Sequence, residues 1–337
     1  MQKIDVHTHI LPPSLPKFKE KFGYGGFIQL ETMSSCQARM VKDNGDFFRE
    51  IESNCWDPEV RIKECEKSQV TIQVLSTVPV MFSYWAQPKD ALEVCILLNN
   101  HIAEVVQKNP KRFIGLGTLP LQSPKLAAGE LKRCMEELKL AGVQIGTHVQ
   151  NKNLNDPELF PVFQEAAKLN AALFIHPWDM MGEERMPQYL LPWLVGMPAE
   201  ISLAICSLVF GGVFERLPIL RVAFAHGGGA FPGTYGRIQH GFNARPDLCA
   251  KDNPYSPEKY IGKFFVDSLV HDAEILKYCM KFFGEEKILL GSDYPFPLSE
   301  ATPGKLIESI SEISQQTREK IFWKNAWNWL GIKPWNV

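Results

Sequence analysis

The sequence predicts an α/β fold, a single (β/α)8 TIM barrel spanning 1–337, and three observations carry that prediction. Eight short apolar segments recur along the 337 residues, each followed by a stretch of helical periodicity, and this alternation builds a parallel sheet. Several of these segments run directly into one metal-capable side chain. The first lacks the glycine-rich phosphate turn that an open doubly wound sheet places after strand one, because that position holds Leu11-Pro12-Pro13. Eight units in a chain of this length suit a closed barrel.

Strand one is read over 3–9. Residues 12–56 then exceed a simple connector. They include Phe22-Gly23-Tyr24-Gly25-Gly26-Phe27 and Lys42-Asp43-Asn44-Gly45-Asp46-Phe47-Phe48-Arg49. Asn44-Gly45 signals a type I′ hairpin, so a small β insertion is expected there. Growing from a βα loop, it would hang over the catalytic rim. Helices are expected over 58–68, 88–109, 124–140, 156–170, 198–217 and 271–283, with two more in 303–330. Asp57-Pro58, Ser123-Pro124 and Asp156-Pro157 each set a capping residue before a proline in the first turn. The other strands are read over 70–77, 113–119, 142–148, 171–176, 221–226, 264–269 and 288–293. A second long loop, 177–197, is rich in Met, Pro and Trp and also falls on the rim. No internal repeat or low-complexity tract is visible.

A net charge of −2 gives no case for nucleic-acid or bulk membrane binding, though local basic residues leave room for an anionic substrate. No uncharged apolar run reaches about 18 residues, so no transmembrane helix is expected. Met1-Gln2-Lys3-Ile4 enters the first strand at once, and no signal or transit leader is expected. The eight cysteines are scattered singly without a Cys-x-x-Cys pair, which suits reduced thiols in the cytosol.

The chemistry is written at the strand ends. In Ile4-Asp5-Val6-His7-Thr8-His9 the two histidines share a strand face, about 6.6 Å apart along the backbone. Two such imidazoles can close on one metal ion. His-x-His alone is equally a pair of packed histidines. His176, His226 and Asp293, each ending a further apolar strand, shift the balance toward a metal centre. A set of three histidines and one aspartate suits zinc with a position open for water, whose pKa a bound zinc can lower to about 7. Strand four ends without a lysine, which disfavours a bridged two-metal site. Asp5 lies on the same face as the pair, deeper in the barrel, where it is expected to bond a ligand histidine. His148 ends strand four and either faces the rim or packs. His101 reads as a surface residue, His240 as a structural residue after a helix, and His271 as lying near a helix start.

Further strings carry a resemblance. They are Asn54-Cys55-Trp56-Asp57-Pro58-Glu59, Leu75-Ser76-Thr77-Val78-Pro79-Val80, Phe174-Ile175-His176-Pro177-Trp178-Asp179, Phe224-Ala225-His226-Gly227-Gly228-Gly229 and Gly291-Ser292-Asp293-Tyr294-Pro295-Phe296. With the strand-end residues, they resemble the amidohydrolase superfamily, whose barrels are metal-dependent and hydrolase-like. Within it they resemble, nearly end to end, the decarboxylases that act on 2-amino-3-carboxymuconate 6-semialdehyde. The stretch 31–48 departs from that pattern in length and composition, but Arg49 is the only arginine between 40 and 60.

The resemblance implies one Zn2+ per chain held by His7, His9, His176 and Asp293. It implies catalysis by His226 as general base and by Asp293, and substrate carboxylates bound by Arg49 and Arg237. It also implies a cytosolic homodimer in which Arg237 completes the neighbouring site, with Arg245 a second, more structural candidate. The implied reaction is non-oxidative decarboxylation in tryptophan and kynurenine catabolism, which limits quinolinate and NAD formation. Trp193, Phe296 and Met180 are read as pocket walls, with core packing as their plain alternative. Lys42 adds positive potential beside Arg49 or is simply exposed. His226 as a further metal ligand, a hydroxybenzoate decarboxylase, an amide or lactone hydrolase, and a zinc-holding protein without turnover are the competing readings.

Overall fold

The computed structural model describes residues 2–334. Its main sheet has eight parallel strands: β1 (Ile4–Ile10), β2 (Ile72–Thr77), β3 (Phe113–Gly117), β4 (Gly142–Gly146), β5 (Ala172–His176), β6 (Arg221–Phe224), β7 (Phe265–Asp267) and β8 (Ile288–Leu289). They pair in chain order. The sheet closes on itself, because Val6 N donates to Leu290 O (2.9 Å), Asp293 N to His7 O (2.8 Å) and His9 N to Tyr294 O (2.8 Å). Barrel strands are covered by the interior on one side and helices on the other, which is why they read as continuous apolar runs. All seven residues of β1 are buried, including Asp5, His7, Thr8 and His9.

Five strands stop short of the expected bounds, β3 at Gly117 and β7 at Asp267 among them. β6 ends at Phe224 and β8 at Leu289, not at His226 and Asp293. Both of those residues have left-handed backbone, with φ of 56° and 61°. The chain leaves extended geometry there to turn these side chains inward. β4 likewise ends at Gly146, and His148 opens a small hairpin with Lys152–Asn153.

The helices follow their start signals unevenly. Pro58–Ser68 has the expected bounds, and Asp57 caps it by accepting from Glu59 N at 2.9 Å. The helix expected from 156 begins only at Phe160, because Asp156 instead closes a turn by accepting from Glu158 N. The helix after β6 spans Phe231–Ala244, so His240 lies within it rather than after it. The stretch 303–330 holds Lys305–Ser309 and then a run from Gln315 to Leu330. Trp329 is fully buried there, its ring 5.9 Å from that of Phe174 in β5. One segment, Pro192–Phe210, is apolar and long enough to cross a membrane by length and composition, yet half of it is buried within the fold.

The insertion is a three-stranded antiparallel sheet, Ile28–Thr32, Gln37–Lys42 and Phe47–Glu52. Its tip is not the expected type I′ turn. That turn needs positive φ at two successive residues, and only Gly45 has it (φ 91°). Gly45 N donates to Lys42 O and Lys42 N to Asp46 O, giving a three-residue loop with glycine at the bulge position. A second bulge follows, where Met40 pairs with Arg49 but Val41 pairs with Phe47. Phe48 is the extra residue. The insertion packs through Phe18, Phe27, Met40 and Ile51 onto Val78 and Met81 after β2 and onto Phe296 after β8. It therefore roofs one side of the barrel mouth.

Gly142 of β4 marks the closest strand approach, since a β-carbon there would fall 1.9 Å from Ala172 O of β5. Gly142→Ala is expected to cost more than the ~1–3 kcal/mol usual for overpacking. It should appear as a lowered denaturation midpoint or failure to accumulate folded protein; an unchanged midpoint would contradict this packing.

Candidate active site

The inward face of β1 brings the His7 and His9 rings to 5.2 Å, centroid to centroid, and His176 at the end of β5 lies 5.0 and 5.1 Å from them. Asp293 arrives from the turn after β8, its Oδ1 3.4 Å from His7 Nε2 and 3.0 Å from His9 Nε2. One ligand-capable atom from each of His7, His9, His176 and Asp293 lies within 4.8 Å of every other.

The other ring nitrogens fix the tautomers. His9 Nδ1 lies 3.0 Å from Thr77 O and His176 Nδ1 lies 2.9 Å from Pro177 O. A carbonyl oxygen only accepts, so these Nδ1 atoms carry the proton and Nε2 presents a lone pair. His7 Nδ1 meets Asp267 Oδ2 at 2.7 Å. All three Nε2 atoms are buried without a hydrogen-bond partner. Buried nitrogens are normally satisfied. Three lone pairs facing one carboxylate, each ring oriented from behind, fit a divalent cation.

Asp267 was not singled out from the sequence, although Phe264-Phe265-Val266-Asp267 is another apolar strand running into an acid. Its Oδ1 also accepts from Gly227 N (2.8 Å) and Leu269 N (3.1 Å). Asp5 does not orient an imidazole as expected. It accepts from the backbone N of His7 (3.3 Å) and from Ser292 N (3.1 Å) and Oγ (2.5 Å), tying β1 to the segment after β8. Strand phase put Asp5 below the histidines, but only the closure of the barrel brought Ser292 to it.

Charge is distributed unevenly. Burial would raise Asp293, but the imidazoles of His7, His9 and His176 hold its carboxyl well below the usual range. Burial opposes protonation of His7 too, yet Asp293 and Asp267 raise it. Burial pushes His9 down and His176 far down. His226 is pushed down to about 4 by burial and by the nearby His7. A neutral His226 thus sits with Nε2 3.9 Å from Asp293 Oδ2, outside the four-residue cluster.

Above the cluster the cavity has two lobes that share Trp193, Met197, Asp293 and Leu298. One, of about 250 Å³, is lined by Arg49, Phe48, Trp178 and Phe296 beside His9 and His176. The bulge at Phe48 lets two consecutive residues, Phe48 and Arg49, line one lobe, where a regular strand would part them. The Arg49 guanidinium lies 4.5 Å from the Phe296 ring centre. Among the described residues it has no salt bridge, and burial lowers its pKa. The other lobe, of about 340 Å³, extends past His226 to Val270, His271 and Ile275.

The remaining sequence candidates are scattered. Met180 is buried against Gly196 and lines neither lobe. Lys42 is exposed at the edge of the insertion. Arg237 is exposed on the outer side of Phe231–Ala244, away from this chain's cavity. Arg245 is paired with Asp247 at 2.8 and 2.7 Å. His101 is not a surface residue, since it is partly buried with an enclosed Nε2. His148 is a clamp, its Nδ1 2.8 Å from Gln150 O and its Nε2 2.9 Å from Asp179 O, joining the hairpin after β4 to the rim loop after β5.

Comparison with known proteins gives the family. The amidohydrolase family model matches residues 4–332. A 2-amino-3-carboxymuconate-6-semialdehyde decarboxylase from Dictyostelium discoideum is 63% identical over 98% of this chain and 92% of its own length. One from Caenorhabditis elegans is 40% identical over 98% of this chain and 94% of its own. The chain belongs to the amidohydrolase family, on its decarboxylase branch. Among solved structures, a 5-carboxyvanillate decarboxylase from Novosphingobium aromaticivorans, complexed with manganese and 4-hydroxy-3-methoxy-5-nitrobenzoic acid, is similar to this decarboxylase. It is 25% identical, with a TM-score of 0.75 over 83% of this chain and 82% of that one.

Purified decarboxylase is expected to carry about one divalent ion per chain, and His176→Ala to lose it. Asp267→Ala should keep the fold but bind metal roughly 10–100-fold more weakly in chelator competition, because His7 loses its orienting partner. Undiminished affinity would mean that Asp267 does not hold the ligand set.

Proposed function

We propose that this chain is a zinc-dependent, oxygen-independent decarboxylase of 2-amino-3-carboxymuconate 6-semialdehyde, releasing carbon dioxide and 2-aminomuconate 6-semialdehyde. The observation that carries the reading is the 63% identity, over nearly the whole chain, to a relative bearing that name. The cavity supports it, because an unpaired arginine and a cluster of ligand-type side chains share a mostly apolar lobe. A small carboxylic acid suits such a space.

His7, His9, His176 and Asp293 would hold one zinc, which when bound supplies positive charge and an activated water. Arg49 would bind a retained carboxylate through its planar fork. Trp193 and Phe296 would wall the conjugated carbon skeleton and keep water out. In the overall reaction the bond from C3 to its carboxylate breaks, the electron pair stays on carbon, and a proton takes the vacated position. No oxidant is needed. His226, neutral at physiological pH, can take a proton at Nε2 and return it. Asp293 Oδ2 faces that nitrogen and would help hold the proton in transit. Met180 would act from beneath the rim loop rather than as a wall, and Lys42 only through its charge.

Arg237 would act in a homodimer. It projects from a helix face where Gly233, Gly236 and Gly241 have no neighbour within 4 Å of a β-carbon position, leaving room for a second copy to approach. Two-fold symmetry would then place each Arg237 at the partner's cavity. Cytosolic placement suits eight free cysteines. In the kynurenine branch of tryptophan catabolism this reaction would withdraw a compound that otherwise cyclises to quinolinate, and so limit NAD formation. A manganese-using hydroxybenzoate decarboxylase is the second reading, favoured by the Novosphingobium structure and its bound nitrobenzoate.

Freshly generated semialdehyde should release carbon dioxide with the purified protein, while hydroxybenzoates tested alongside should not. The opposite preference would select the second reading. Arg49→Ala and Arg237→Ala should each nearly abolish turnover. Mixed with subunit exchange, they should recover about a quarter of wild-type activity, since half the dimers are mixed and each holds one intact site of two. No recovery after confirmed exchange would exclude the shared site.

A further inference from the structure

We propose that His271 receives the semialdehyde arm of the substrate, at the end of the cavity opposite Arg49. The inference rests on the decarboxylase reading above. The two lobes meet at Asp293, so a substrate reacting there extends into both. The Arg49 lobe offers a guanidinium to a carboxylate. The larger lobe is lined chiefly by apolar side chains, Leu269, Val270, Ile275 and Leu298 among them. Beyond the Trp193 indole, which both lobes share, its polar side chains from this chain are His226, Asp293 and His271. The first two belong to the reacting centre. An apolar wall suits a conjugated carbon chain, and the carbonyl oxygen at its tip needs a donor. Among this chain's own lining side chains, outside the shared Trp193 and the reacting centre, His271 is the donor that remains.

The backbone at His271 is held in a costly conformation. Its φ is 57°, in the left-handed region that a β-carbon disfavours. Several contacts hold it there. Val270 N donates to Ser268 O at 3.0 Å. The Val270 side chain occupies the space a β-carbon on Gly227 would need. Asp272 caps the helix Ala273–Phe283 by accepting from Ile275 N at 2.9 Å. Asp267 ties in the same segment through Leu269 N while holding His7 Nδ1. The loop that presents His271 is therefore anchored to a carboxylate that also orients a metal-facing histidine. His271 is a positioning residue for one arm of the substrate, and through it the larger lobe selects for length.

The test uses the metal-loaded enzyme, freshly generated semialdehyde, and phthalate as a competitive probe with two adjacent carboxylates and no aldehyde arm. Asparagine tolerates left-handed backbone, so His271→Asn removes the reach without adding strain. Its KM should rise roughly ten-fold, the effect of one lost hydrogen bond, with kcat changed by less than about three-fold. The phthalate inhibition constant and metal content should match wild type. His271→Gln, which restores a donor at longer reach, should recover most of the KM. A structural disturbance would instead shift the phthalate constant and metal content together with KM, and that outcome overturns the assignment. An unchanged KM in His271→Asn, with wild type active on the semialdehyde, also overturns it and leaves the decarboxylase reading standing. No carbon dioxide from wild type overturns both.

Discussion

Three enclosed imidazole nitrogens facing one carboxylate form the constraint on which the rest of the structure depends. Lone pairs packed this closely in an apolar barrel repel one another and go unsolvated unless a cation lies among them. Every neighbouring element supports that arrangement. Thr77 O and Pro177 O orient His9 and His176 from behind, and Asp267 does the same for His7. Asp5 and Ser292 pull β1 against the chain after β8, which brings Asp293 to histidines almost three hundred residues away.

Barrel closure and site assembly are thus one event. The hydrogen bond from Asp293 N to His7 O joins the two ends of the sheet and also delivers the fourth ligand-type group. The left-handed backbone at His226 and Asp293 has a local cost. It is maintained because the surrounding hydrogen bonds leave the chain no other path, as is common where geometry serves chemistry.

The rim converts this centre into a selective site. The insertion contributes Arg49 through a bulge, and the loop after β5 contributes Trp178 and Trp193, held down by the His148 clamp. Both lobes are mostly apolar, and a half-buried guanidinium without an ion pair marks one of them. That guanidinium favours an anion in the lobe it lines. The neutral His226 lines the larger lobe beside Asp293, which both lobes share.

Much of this was legible from residue order alone. Periodicity and apolar runs located all eight barrel strands, and strand phase placed His7 and His9 on one face. The run ending at His176 and the run leading to Asp293 pointed to the same rim. Asp267 fitted that rule and was overlooked, because a carboxylate behind a ligand carries no spacing signal. The tip of the insertion was misjudged for a related reason, since Asn-Gly permits several loops and the flanking bulge decides among them. Short-range sequence determined which residue types stand at which strand ends, because backbone periodicity acts over a few residues. Only the tertiary structure decided that Asp5 ties down the segment after β8, that Arg49 shares a lobe with Phe48, and that His271 lines the larger lobe. Those relations depend on closure and on bulges, which bring together residues whose separation along the chain holds no trace of their contact.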